Sequence, residues 1–201
     1  MQLTGIIIGI LLLAGKPLPQ APAVKEGDII FQESSGDFSK AIQLATHSRY
    51  SHCGIIFKKD GQWYVYEAIE PVHYTPLQEW IARGVQRHYV LKRLHRADSV
   101  LTPGMIEHMK QAGNQYLGKH YDFYFGWSDE RMYCSELVWK IYKQATGLEL
   151  AALQPLKDFD LGSAPVKAQL QKVYGGKIPA SEMIISPIQL FNSPLLEEVN
   201  H

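Results

Sequence analysis

The sequence predicts one domain that mixes short antiparallel strands with amphipathic helices. Three observations carry this. Asp60-Gly61 lies between two apolar runs, Cys53 to Phe57 and Trp63 to Ile69, a strong hairpin signal. Two later segments place apolar residues at helical spacing, one after Thr102 and one after Tyr133. No repeat and no low-complexity linker divides the 201 residues, a length that buries a full core without staples.

The first segment stands apart. Gly5-Ile6-Ile7-Ile8-Gly9-Ile10-Leu11-Leu12-Leu13 is apolar but short for a bilayer span. Pro17, Pro19 and Pro22 follow, with a small-residue site at Ala21-Pro22-Ala23. Residues 1–23 read as a secretory signal peptide, and 24–201 as the mature domain of a periplasmic or secreted protein without a stable membrane span. No Lys or Arg precedes the apolar run, so a buried N-terminal strand or helix is the alternative. Lys16 stands after Leu13-Ala14-Gly15, where a lipid-anchored bacterial protein would carry cysteine.

The remaining elements follow in order. Gly27-Asp28 turns into a strand at Ile29-Ile30-Phe31-Gln32. Ser35 or Asp37 is placed to cap a helix through Phe38, Ala41, Ile42 and Ala45. After the hairpin, Pro71 and Pro76 break the pattern. Leu77 to Ala82 makes a helical turn or two ended by Gly84, and His88 to Leu94 a strand. Thr102 caps a helix with Pro103 at its first position; Met105, Met109, Ala112, Tyr116 and Leu117 form its stripe, and Gly118 ends it. Cys134 to Ala145 is a helix with Cys134, Leu137, Val138, Ile141, Tyr142 and Ala145 on one face. Helices from Val166 to Tyr174 and between Ser186-Pro187 and Ser193-Pro194 complete the chain.

Composition excludes several classes. Lys+Arg and Asp+Glu balance at 20 each, so no strong field draws nucleic acid or anionic lipid. Two cysteines are too few for a disulfide framework, and no CxxC pair suggests zinc. His47, His52 and Cys53 lack recognised metal-ligand spacing. A serine hydrolase finds no Gly-x-Ser-x-Gly.

What remains is a thiol, an imidazole and a carboxylate. A free cysteine is most often a small buried hydrophobe. Cys134, however, opens a helix, where the dipole and free N–H groups lower a thiol pKa and can hold an oxyanion. If the turn centres on Asp60-Gly61, paired residues sum to 121: Gly54 faces Glu67 and His52 faces Ile69. Side chains alternate along a strand, so His52, Gly54 and Glu67 share a face, with His52 and Glu67 diagonal neighbours. Gly54 leaves room between them. Glu70 and Cys53 fall on the opposite face, which would make a Cys53–Cys134 disulfide difficult if His52 touches Cys134. A one-residue slip in register would exchange Glu67 for Glu70.

Together Gly27-Asp28-Ile29-Ile30-Phe31, Tyr50-Ser51-His52-Cys53-Gly54, Tyr66-Glu67-Ala68 and Tyr133-Cys134-Ser135-Glu136 resemble the circularly permuted NlpC-type papain-like amidases, in their YiiX/YaeF-like branch. Gly118-Lys119-His120-Tyr121-Asp122 and Ser186-Pro187 also match. The resemblance implies an α+β, permuted papain-like fold, a small antiparallel sheet packed on the helix that carries the cysteine. It implies Cys134 as nucleophile, His52 as base, Glu67 as its orienter, and Tyr133, Tyr121 and Asp122 beside the substrate. Cys53 departs from the small or β-branched residue expected after the histidine. The implied activity is cleavage of an amide bond without metal or organic cofactor, in a cell-wall peptide or a lipid amide. The alternatives are a lipid acyltransferase or esterase, and an envelope binding module that has lost activity.

Overall fold

The computed structural model describes residues 24–199. The proposed signal segment lies outside these residues. In chain order the elements are β1 (Ile29–Gln32), α1 (Asp37–Thr46), β2 (His52–Lys59), β3 (Gln62–Glu67), β4 (His73–Pro76) and α2 (Leu77–Arg83). Then come β5 (Tyr89–Leu94), α3 (Ala97–Val100), α4 (Pro103–Asn114), α5 (Cys134–Thr146) and β6 (Gln154–Pro155). The chain closes with α6 (Ala164–Tyr174), β7 (Met183–Ile184), α7 (Pro187–Phe191) and β8 (Leu196–Glu198).

Six strands form one sheet in the order β4-β3-β2-β1-β5-β8, with every pairing antiparallel. The β2–β3 hairpin turns on Asp60 and Gly61, whose φ angles are 50° and 79°. Two successive positive φ values match the twist of the flanking strands, and Asp-Gly adopts them at low cost. The resulting ladder runs from Ile55↔Tyr66 to Lys59↔Gln62, so paired residues sum to 121 as the turn chemistry predicts.

The sheet is buried on both faces. On one, Phe31, Cys53, Ile55, Phe57 and Tyr66 pack with Leu137, Val138, Ile141 and Tyr142 of α5, which α4 flanks. On the other, Ile30, Ile56, Val65 and Leu91 pack with Leu77 and Trp80 of α2. Both faces of β2 are therefore apolar, which is why its sequence reads as a continuous run. This is the expected α+β arrangement, a small antiparallel sheet on the cysteine's helix.

Several elements differ from expectation. β4 forms where Pro71 and Pro76 suggested a break. Pro76 closes this edge strand, where a missing N–H costs no ladder bond. Gly36, not Ser35 or Asp37, occupies the cap of α1, and no side chain caps it. Thr102 caps α4 as expected, accepting from the Met105 N–H, but the helix stops at Asn114 and Gly118 lies in the loop beyond. Its buried face is Ile106, Met109 and Gly113, while Leu117 is half exposed.

Candidate active site

Cys134 is the first residue of α5 and 2% exposed. His52 opens β2. Glu67 ends β3, fully buried and on the same sheet face as His52. His52 Nε2 lies 2.5 Å from Glu67 Oε2. That bond leaves Nδ1 for Cys134, to which the ring is also hydrogen-bonded. Gly54 lies between them on the same face. A Cβ there would come within 2.4 Å of Val65 Cγ1 and 3.3 Å of Glu67 Cβ, so only glycine lets β3 approach this closely.

Glu67 is held from four sides. Besides His52, it accepts from Thr75 Oγ1 (2.5 Å, to Oε1), Trp80 Nε1 (2.8 Å, to Oε2) and Arg83 Nη2 (2.8 Å to Oε1, 2.6 Å to Oε2). The Trp80 ring also stacks on His52, centroids 6.0 Å apart. Thr75, Trp80 and Arg83 went unread in the sequence. The signal for two of them was present: Trp80 and Arg83 are three apart on a short helix, hence on one face. Thr75 was hidden because β4 was not recognised.

These contacts set the charges. Burial disfavours the charged imidazole, but its bonds to Cys134 and Glu67 outweigh this and raise His52 to about 9. Burial likewise opposes ionisation of Glu67, yet His52 and Arg83 lower it to about 2. The Cys53 thiol, donating to the Cys134 sulfur, holds Cys134 well below its ordinary range; burial works against this and His52 reinforces it. All three shifts run in the direction that favours a thiolate–imidazolium pair backed by a carboxylate.

Cys53 corrects the sequence reading. Its side chain lies on the α5 face, opposite the Trp80 face to which His52 belongs, as alternation requires. It nevertheless shares a buried cluster with Cys134 rather than pointing away from the site; burial raises its thiol and Cys134 adds to this. His52 is the first residue of its strand.

The other expected residues divide. Tyr121 is hydrogen-bonded to Cys134, and burial pushes its hydroxyl well above its usual range, so it remains a donor. Tyr133 lines the adjoining cavity but is 1% exposed, its hydroxyl accepting from the Ile185 N–H at 3.1 Å. Asp122 does not line that cavity: its carboxylate accepts the backbone N–H groups of Tyr124 and Gly126. Through these bonds it shapes the aromatic loop. Glu70 lies beyond β3, paired with His120 and accepting from the Tyr121 N–H at 3.0 Å.

Two cavities adjoin the site. One is walled by Phe38, Ala41, Ile42, Val166, Leu170 and Ile184, with Cys134 and Tyr133 among its lining. The other lies beside His52 and is lined by Ser34, Ser35, Ser39, Glu70 and Arg83. Phe38, Ile42, Tyr121 and Phe123 border both.

A helix-borne cysteine packed on an antiparallel sheet that supplies histidine and an acid defines a papain-like thiol enzyme fold. Here histidine and acid precede the cysteine in sequence, the permuted order. The chain belongs to the permuted papain-like amidase enzymes, the YaeF/YiiX, C92 family, whose profile matches residues 23–200. It is 48% identical over 173 residues to the uncharacterized protein YiiX of Escherichia coli (strain K12), covering 86% of this chain and 84% of that one. The crystal structure of the metalloprotein yiiX from Escherichia coli O157:H7 superposes with a TM-score of 0.83 at 46% identity, covering 88% of this chain and 96% of that one.

Proposed function

We propose that this protein is a thiol hydrolase that cleaves an amide bond through Cys134, His52 and Glu67. One observation carries the proposal: the Cys134 thiol at a helix N-terminus is bonded to an imidazole whose far nitrogen is fixed by a buried carboxylate. The Cys134 thiolate attacks the substrate carbonyl carbon. The carbonyl oxygen gains charge and is met by the Cys134 N–H, unpartnered within the helix, and by the Tyr121 hydroxyl. His52 then gives its proton to the leaving nitrogen, the C–N bond breaks, and an acyl-thioester remains. Water, deprotonated by His52, attacks that thioester and releases the acid. Glu67 keeps the proton of Nε2 in place and stabilises the imidazolium.

The cavity favours one substrate pool. An N-acyl lipid amide would lay its chain among Phe38, Ile42, Val166 and Leu170, with its carbonyl at Cys134. Its polar leaving group would lie on the His52 side, among the serine hydroxyls. A cell-wall peptide calls for a groove open at both ends with polar walls. The same centre would act as an acyltransferase or esterase if an alcohol took the place of water or of the leaving amine. The intact trio speaks against a silent binding module. We place the activity in the bacterial cell envelope, on the proposed signal segment.

The crystallised relative is described as a metalloprotein. The donor set here does not fit a metal ion: His52 is engaged by Glu67 and Cys134, and among the described residues no three His, Cys, Asp or Glu side chains form a metal-holding group. The test is incubation of the mature protein with a lipid extract and with cell-wall fragments, read by mass spectrometry against Cys134→Ala. Loss of acyl amides with the wild type alone supports the reading; no change in either pool overturns it.

A further inference from the structure

The chain holds two thiols in the described residues, and they meet at the nucleophile. Cys53 is fully buried, the second residue of β2. Cys134 is the first residue of α5, and β2 packs directly against that helix. Cys53 lies on the sheet face that packs on α5, in the same buried cluster as Cys134. Strand and helix are both anchored in that core, so the fold keeps the two thiols as neighbours. Their ionisation is pushed in opposite directions: Cys134 is held well below the ordinary thiol range, with Cys53 the largest cause, while burial pushes Cys53 well above it. An attacking thiolate with a second thiol beside it is the arrangement that thiol–disulfide exchange requires.

We propose that Cys53 and Cys134 form a covalent modification site, an internal disulfide that reversibly removes the nucleophile. The oxidant is a small-molecule disulfide, RSSR. The Cys134 thiolate attacks one sulfur of RSSR, the R–S–S–R bond breaks, and RS⁻ leaves, giving a mixed disulfide on Cys134. Cys53 then loses its proton and attacks the Cys134 sulfur. The Cys53–Cys134 bond forms and the second RS⁻ leaves with that proton as RSH. The protein gives up two electrons and RSSR takes them, so one thiolate, one thiol and RSSR become one protein disulfide, RS⁻ and RSH. In the closed form Cys134 cannot attack a carbonyl, and a reducing thiol reopens it by the reverse steps. The resolving position matters because Cys53 traps the mixed disulfide before the thiol pool or further oxidation acts on it.

The test uses the full folded chain and oxidised glutathione, followed by an acid quench and peptide mapping without reductant. The expected wild-type product is a link between the peptides containing Cys53 and Cys134, two hydrogens lighter than the dithiol and free of glutathione. Cys134 in this product is blocked to iodoacetamide and is restored by dithiothreitol. Cys53→Ala, or Cys53→Ser if the alanine variant misfolds, is expected to stop at a glutathione adduct on Cys134. A wild type that also stops at the glutathione adduct overturns the proposal. So does a wild type that glutathione leaves untouched while iodoacetamide still labels Cys134. The readout is independent of any substrate, so it stands or falls separately from the amidase reading.

Discussion

His52 and Glu67 are diagonal neighbours across the β2–β3 ladder, joined by a 2.5 Å bond from ring nitrogen to carboxylate. The register alone brings them together. Shifting it by one residue would turn Glu67 into the α5 face, away from His52.

The carboxylate is therefore the sharpest point to probe. Glu67→Gln is expected to lower turnover by roughly 10- to 10,000-fold, because an amide does not stabilise the imidazolium and can favour the wrong tautomer. Glu70→Gln is expected to change turnover by less than about threefold, since Glu70 serves the Tyr121 loop from outside the ladder. The checks are steady-state rates on the acyl substrate found, with thermal melts to verify folding. Loss of activity in Glu70→Gln alone would contradict the assignment.

The donors around Glu67 are expected to matter for both stability and rate. Thr75→Val removes an O–H that points at a buried charge, and a loss of about 1.5–3 kcal/mol is expected. Thr75→Ser is expected to recover most of it. Trp80→Phe keeps the ring over His52 while removing the N–H, so turnover is expected to fall more than substrate affinity. Denaturant melts and a kcat/KM split measure this. A Thr75→Val protein indistinguishable from wild type would show that His52, Trp80 and Arg83 suffice to hold Glu67.

Acid sensitivity follows from the same carboxylate. Glu67 is lowered from 4.5 to about 2 in the folded protein. A group with a depressed folded pKa contributes stability above its unfolded value and loses it as pH falls. Glu67 therefore stabilises the fold above about 4.5, and this is lost progressively between about 4.5 and 2. Melting temperature followed through that range is expected to fall more steeply in the wild type than in Glu67→Gln.

The cavity makes a chain-length prediction. Ala41→Phe places a ring among Phe38, Ile42, Val166 and Leu170. Hydrolysis of an octanoyl p-nitrophenyl ester is expected to drop by about tenfold or more in kcat/KM, a loss of about 1.4 kcal/mol, while the acetyl ester is nearly unchanged. Equal effects on both esters would move the acyl chain elsewhere.

Much of this was legible in the sequence because it rests on local chemistry. Asp60-Gly61 fixed a turn, the turn fixed the register, and the register put His52 beside Glu67. Cys134 was legible because helix starts are. What was not legible came from distant pairing. β4 carries two prolines and gains its identity only from β3, so Thr75 was hidden with it. Alternation puts Cys53 on the face away from His52, but it describes strand interiors, and His52 stands at a strand's first residue. The bonds of Asp122 to the N–H groups of its own aromatic loop were likewise not legible, because they depend on how that loop folds.

The central claim is that Cys134 is a thiolate because His52 is an imidazolium. Iodoacetamide alkylation of Cys134 as a function of pH, by peptide mapping of wild type and His52→Ala, tests it without knowledge of the substrate. The wild type is expected to react rapidly at pH 6 to 7 and Cys53 slowly, while in His52→Ala the Cys134 profile moves up toward the unperturbed thiol range near 8.5. Superimposable profiles in the two proteins, or equal rates for the two thiols in the wild type, would contradict it.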